Sequence, residues 1–211
     1  IAMGISQKIG IETIKKALEE IKNIPGRMEF IESGQPFKVI VDYAHTPDAL
    51  RKVYQALRSA SSRFPAFIKI SAGRQVPDSK MICVLGSAGG GRDKWKRPEM
   101  GKIAAQYCDQ IILTDEDPYN ENPEKILDEI NSGIPQNSMP TGRQANCKKI
   151  LDRREAIKTA LTLARPNDTV IITGKGAENK MMVENGWIPW DDREIVKEEL
   201  IKLSIDFPAN N

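Results

Sequence analysis

One histidine, three cysteines and 6% aromatic residues are what this 211-residue chain has least of. His45 with the scattered Cys83, Cys108 and Cys147 makes no zinc-like spacing. An odd number of cysteines, with Cys83 and Cys108 in apolar or helical stretches, reads as core thiols in a reducing compartment rather than as a disulfide framework. No apolar run approaches the ~20 residues of a membrane span, and no signal peptide is visible. Neither sign of charge dominates: 31 Lys and Arg against 29 Asp and Glu leave +2, which points to neither nucleic acid nor a membrane. Nucleotide signatures are missing too. Gly86 and Gly91 have the Walker spacing, but Arg92-Asp93 stand where Lys-Ser/Thr is required, and the turn carries no Gly-x-Gly-x-x-Gly. No Ser/His/Asp arrangement can be argued from spacing.

What is present is a globular composition, 40% apolar and 28% charged, long enough for one large domain or a domain with a small appendage. The chain begins abruptly at Ile1 and reads as part of a longer protein. Residues 11–22 put Ile11, Ile14, Leu18 and Ile21 on one helical face, and Pro25-Gly26 ends that helix. Two strands, 28–32 and 37–41, flank a turn at 33–36, with a boundary expected near residue 35. From residue 37 to 203, strands and helices alternate. Strands are expected at 37–41, 81–85, 110–114 and 169–173. Helices are expected after Thr46-Pro47, over 99–107, 124–131, 152–164 and 191–203. Residues 59–80 form a long polar loop, and 132–148 are turn-rich without a clear element. This order predicts an α/β fold with a mostly parallel sheet covered by helices, and a ligand edge at the carboxyl ends of the strands.

Each expected strand ends in a segment of chemical interest: Asp42-Tyr43-Ala44-His45, Gly86 to Arg97, Asp115 to Asn120, and Gly174-Lys175-Gly176-Ala177-Glu178. Each alone has a plain explanation as a structural histidine, a surface turn or a solvated lysine. Together they outline a rim with basic and acidic parts. The glycine-rich turn adds Arg92, Lys94, Lys96 and Arg97 between a strand and a helix, an arrangement that suits a phosphorylated or carboxylated ligand. A flexible turn with solvated charges is the plain alternative.

Pro25-Gly26-Arg27-Met28-Glu29, Asp42-Tyr43-Ala44-His45-Thr46-Pro47-Asp48, Gly91-Arg92-Asp93-Lys94 with Arg97-Pro98, Asp152-Arg153 with Ala156-Ile157, and Gly174-Lys175-Gly176 with Glu178 resemble the Mur ligases over roughly residues 1–203. The type is the tripeptide synthetase that adds the third amino acid. The resemblance implies a cytoplasmic three-domain enzyme of peptidoglycan synthesis, and hence of cell-wall biogenesis, cell shape and division. It implies that residues 1–35 end the central ATPase domain and its linker. Residues 36–211 would form the Rossmann-like C-terminal domain, with helices on both faces of the sheet. The ATP-binding loop and Mg²⁺ ligands would then lie upstream, and the piece alone is expected to be inactive.

The reaction implied joins an amino acid to UDP-MurNAc-L-Ala-D-Glu, with ATP converting the acceptor carboxylate to an acyl phosphate. By motif match Arg27, Asp42 and His45 contact ATP, and Lys94 lies near the phosphates as the catalytic cation. Arg92 clasps a carboxylate of the incoming amino acid. Gly174 and Glu178 hold its far end, and Asp117 and Tyr119 line the third loop.

Two positions depart from the family pattern. Glu116-Asp117-Pro118-Tyr119 stands where enzymes that add meso-diaminopimelate carry Asp-Asn-Pro-Arg, and Ala177 stands where the family has histidine. With Asp115, Glu116, Asp117 and Glu121 and no base in that loop, the expected third residue is L-lysine or another diamine. The alternatives are a folylpolyglutamate or cyanophycin synthetase-like ligase domain, and a non-catalytic nucleotide- or amino-acid-binding module.

Overall fold

The computed structural model describes residues 1–20, 24–59, 79–135 and 146–204. Most of the long polar loop, and the part of the turn-rich stretch from 136 to 145, lie outside these residues. Two short helices, α1 (Ala2–Ser6) and α2 (Ile11–Glu19), precede the sheet. The apolar positions of α2 find little cover, for Ile14 is buried while Ile11 and Leu18 stay exposed.

Six strands form one sheet in the order β1-β2-β6-β3-β4-β5. They are β1 (Glu29–Phe30), β2 (Lys38–Asp42), β3 (Met81–Leu85), β4 (Gln110–Leu113), β5 (Asn146–Lys149) and β6 (Thr169–Thr173). All neighbouring pairs are parallel except β1 with β2. The boundary expected near residue 35 falls between these two paired strands. β6, last of the parallel strands in sequence, enters between β2 and β3. Asp42 is level with Thr173, and Leu85 with Leu113, so the polar segments after these strands emerge along one edge.

The helices α3 (Pro47–Arg58), α4 (Lys96–Tyr107) and α5 (Pro123–Asn131) cover one face of the sheet, and α6 (Arg153–Leu163) with α7 (Asp192–Ser204) covers the other. All five residues of β3 are buried, as a strand covered on both faces requires. Thr46 caps α3, its Oγ1 accepting from the Ala49 N–H ahead of Pro47. Asn122 and Asp152 cap α5 and α6 in the same way.

Three features depart from the sequence expectations. β5 appears as an edge strand in the stretch that resisted placement, because its exposed NCKK segment has no alternating apolar face and owes its pairing to β4. The hairpin β7 (Lys180–Val183) and β8 (Gly186–Pro189) was not foreseen. Cys83 and Cys108 are not free core thiols. They are joined in a buried disulfide, since β3 and the end of α4 bring their Cα atoms to 6.0 Å; Cys147 remains free.

Candidate functional site

The loop after β2 gathers the three residues expected at a nucleotide. The Arg27 guanidinium lies 4.2 Å from the centroid of the Tyr43 ring, and the Tyr43 and His45 rings meet edge to face at 4.6 Å. His45 Nδ1 is 2.8 Å from the Tyr43 carbonyl. Asp42 turns inward: its carboxylate accepts from the N–H groups of Met28 at 2.7 Å and Ala44 at 2.8 Å. Each carboxylate oxygen has a second lone pair, so this does not exhaust Asp42 as an acceptor. Gly26 holds φ +64°, and a Cβ there would run into the backbone of Gly176 and Ala177. Only glycine lets the Arg27 turn press onto the loop after β6 at that point.

The loops after β4 and β6 interlock through charge. Lys175 is almost fully buried between Asp117, at 2.7 Å, and Glu178, at 2.6 Å. Burial alone would lower the pKa of its ammonium; the bonds to the two carboxylates outweigh this and hold it above the ordinary lysine range. Asp117, itself at φ +45°, also accepts from the Met182 N–H at 2.7 Å and so tethers the hairpin. Arg153 is buried and donates to Asp192, to the Thr173 carbonyl and to the Asp115 carbonyl, binding the ends of β4 and β6 together.

Glu116, which the sequence counted among the acids of the third loop without giving it a role of its own, is the odd member of this cluster. It is buried, it lies against Gly174, and its Oε2 has no hydrogen-bond partner. Burial pushes its carboxyl up to about 7, with Arg153, Lys175 and Lys96 pulling the other way. Burial likewise raises Asp115 to about 6. In sequence, its place in the acidic run and at the head of the stretch that stands for Asp-Asn-Pro-Arg pointed to Glu116.

The four cations of the glycine-rich turn separate into different roles. Arg97 is buried on Glu129 at 2.6 Å and Glu121 at 3.2 Å. Lys96 is buried with its ammonium 3.3 Å from the His45 carbonyl. Lys94 keeps a half-exposed side chain 2.9 Å from Glu121, and Arg92 is exposed with no carboxylate partner among the described residues. The backbone donors of the turn are partly spent as well, Gly89 on the Asp117 carbonyl and Gly91 on Glu121. The loop after β4 is therefore not the open acidic surface that the sequence suggested. Asp117 and Glu121 are paired, and the raised carboxyls of Asp115 and Glu116 carry less charge at neutral pH. Tyr119, at φ +54°, leans on the Gly90 backbone and meets Trp187 edge to face.

The structure thus brings Arg27, Asp42 and His45 into one cluster. Asp117 and Glu178 meet on Lys175, beside Gly174, and Tyr119 stands on Gly90 and Trp187, with Arg92 and Lys94 on the turn between β3 and α4. Among the described residues no group of three or more His, Cys, Asp or Glu could hold a metal ion, so this donor set does not fit Mg²⁺.

The family model described as Mur ligase, glutamate ligase domain, matches residues 26–176. The UDP-N-acetylmuramoyl-L-alanyl-D-glutamate–2,6-diaminopimelate ligase of Caldanaerobacter subterraneus subsp. tengcongensis is 40% identical over 203 residues, which cover 94% of this chain and 37% of that protein. A UDP-N-acetylmuramyl-tripeptide synthetase of Roseiflexus sp. is 37% identical, over 96% of this chain and 36% of that protein. A solved 2,6-diaminopimelate ligase of the same type matches 96% of this chain and 37% of its own at 30% identity, with a TM-score of 0.69. The folylpolyglutamate synthase/dihydrofolate synthase of Yersinia pestis, at 16% identity and a TM-score of 0.52, shares the fold. The chain spans a little over a third of the length of the curated relatives it matches.

Proposed function

The chain belongs to the Mur ligases, whose glutamate ligase domain it carries, and on that premise we propose that it is the amino-acid-presenting part of an ATP-dependent, amide-forming ligase of the cytoplasm. That ligase adds the third residue to UDP-MurNAc-L-Ala-D-Glu in peptidoglycan synthesis. Residues 36–211 are its C-terminal domain, and 1–35 hold the end of the central domain, with Glu29–Phe30 already paired into the sheet. The exposed Ile1 and, on the two leading helices, Met3, Ile5 and Ile11 support a neighbour of that kind. The nucleotide-cradling loop and the Mg²⁺ ligands belong to sequence outside residues 1–211. When bound there, the metal would neutralise phosphate charge.

In this reading the acyl phosphate of the acceptor is attacked by the amine of the incoming residue, and the tetrahedral intermediate expels phosphate. Arg27, Asp42 and His45 meet the nucleotide: Arg27 as a cation for phosphate or ribose, Asp42 as an acceptor for a ribose hydroxyl. Lys94, leaving Glu121, approaches the developing phosphate charge. Arg92 takes the α-carboxylate in a bidentate pair. Glu178 and Glu116 accept from the ammonium group at the far end. Asp117 acts by holding Lys175 and the hairpin in place, Tyr119 lines the pocket, and the left-handed turn at Gly174 leaves room for Glu116.

The observation that carries the reading is an exposed guanidinium, Arg92, on the same edge as a buried carboxylate oxygen, Glu116 Oε2, that lacks a partner. An amino acid with a second, side-chain ammonium group satisfies both. A diamino acid fits the paired acids best. The particular choice of lysine loses the open acidic loop it rested on.

The test is amino-acid-dependent phosphate release by the intact ligase. Arg92→Ala is expected to raise KM for the amino acid about tenfold or more, as loss of a charge-assisted pair does, with an unchanged unfolding midpoint. An unchanged KM defeats the assignment. The 211-residue chain alone is expected to release no phosphate from ATP, and turnover by it would contradict the placing of the hydrolytic loop elsewhere.

A further inference from the structure

The cations around the acidic loop do not all find acids. Lys94, Arg97, Lys175 and Arg153 each face a carboxylate, and Lys96 is buried on a carbonyl. Arg92 and Lys180 face none among the described residues. Lys180 is exposed, and its ammonium sits 4.4 Å from the centroid of the Trp187 ring. Trp187 in turn meets Tyr119 edge to face, with ring centroids 6.1 Å apart.

This chain of contacts has a fixed base. Met182 and Trp187 are register partners in the hairpin, so Lys180, two residues before Met182, projects from the same face as both. The Met182 N–H is bonded to Asp117, and the Tyr119 ring lies against Gly90 of the glycine-rich turn. Tyr119 and Trp187 therefore join the third loop, the turn and the hairpin, and Lys180 is held at their outer end. An ammonium over an exposed indole is weakly held. It leaves the ring readily for a carboxylate, whose charge-assisted hydrogen bond is stronger.

The charges at this edge match one class of ligand. Glu178 and Glu116 suit the one ammonium group that remains beside the attacking amine, and Arg92 and Lys180 suit two carboxylates. A 2,6-diaminopimelate carries two carboxylates and, besides the attacking amine, one ammonium, and it is the substrate named for several relatives. L-Lysine has one carboxylate and leaves Lys180 unused. Resting on the ligase reading above, we propose that Lys180 is the specificity residue that receives the distal carboxylate of a third residue of the 2,6-diaminopimelate class, and that the Tyr119–Trp187 pair is the platform that holds it there.

The experiment compares kcat/KM of the intact ligase for meso-diaminopimelate and for L-lysine, in wild type, Lys180→Met and Trp187→Leu. Lys180→Met is expected to lower the meso-diaminopimelate value about tenfold or more, through KM, and to leave the L-lysine value within about twofold. Trp187→Leu shifts the same ratio in the same direction by less. An unchanged ratio in Lys180→Met, whether both values fall or neither does, overturns the inference and leaves the ligase function standing. A wild-type enzyme that uses neither amino acid overturns both.

Discussion

The Lys175 ammonium, 1% exposed, lies 2.7 Å from Asp117 Oδ2 and so ties the loop after β6 to the loop after β4. Removing one member of such a pair strands the other charge out of water. Lys175→Met is expected to lower unfolding free energy by on the order of 3 kcal/mol, read as a shift in the urea midpoint. A shift below about 1 kcal/mol would mean that Asp117 finds another cation.

Gly174 has φ +114°, and a Cβ on it would collide with the Glu116 carboxylate. Gly174→Ala therefore meets both backbone strain and a clash, with a cost of about 1–3 kcal/mol. Combining it with Glu116→Ala should recover the clash part and leave the strain. Denaturation of the two variants and the double variant gives the split, and additive losses would exclude the contact.

Glu116 makes stability fall as pH rises. Its folded pKa is raised by burial to about 7 from 4.5, so between these values the folded protein binds the proton more tightly than the unfolded chain. The contribution is fully present below about pH 4.5 and is lost as pH climbs through 7. Asp115, raised to about 6, acts in the same direction. Glu116→Gln should flatten the stability profile between about pH 5 and 7. The check is a set of urea midpoints across that range, and a parallel fall in the variant would remove Glu116 as the source.

The Cys83–Cys108 disulfide closes a segment of 25 residues that includes the glycine-rich turn and α4. Cross-linking a loop of this length restricts the unfolded chain by about 3 kcal/mol. Denaturation with a thiol reductant should therefore occur at a lower urea concentration than without it. Unfolding under non-reducing conditions should leave Cys147 as the one thiol open to alkylation. Three alkylated thiols would show that the bond is not formed.

Much of the fold was legible because the physics involved is local. Met81–Leu85 and Thr169–Thr173 are short apolar runs bounded by polar turns, the signature of strands covered on both faces. Thr46-Pro47 announced a helix start that the cap bears out, and the helices expected over 124–131 and 152–164 are found at Pro123–Asn131 and Arg153–Leu163. β5 was not legible, since Asn146–Lys149 has no buried face of its own, and nor was the hairpin, whose exposed β8 carries no such pattern.

Sequence alone determined the alternation of strands and helices, the family motifs, and the residue types that reach the carboxyl edge. Only the tertiary structure decided which charges remain available there. Pairing depends on distance and burial, and residues such as Lys175 and Asp117 meet across 58 positions of sequence. That is why the apparent open acid of the third loop proved to be spent on Lys175, Lys94 and Arg97. It is also why Glu116, Arg92 and Lys180 emerged as groups that, among the described residues, have no opposite charge bonded to them.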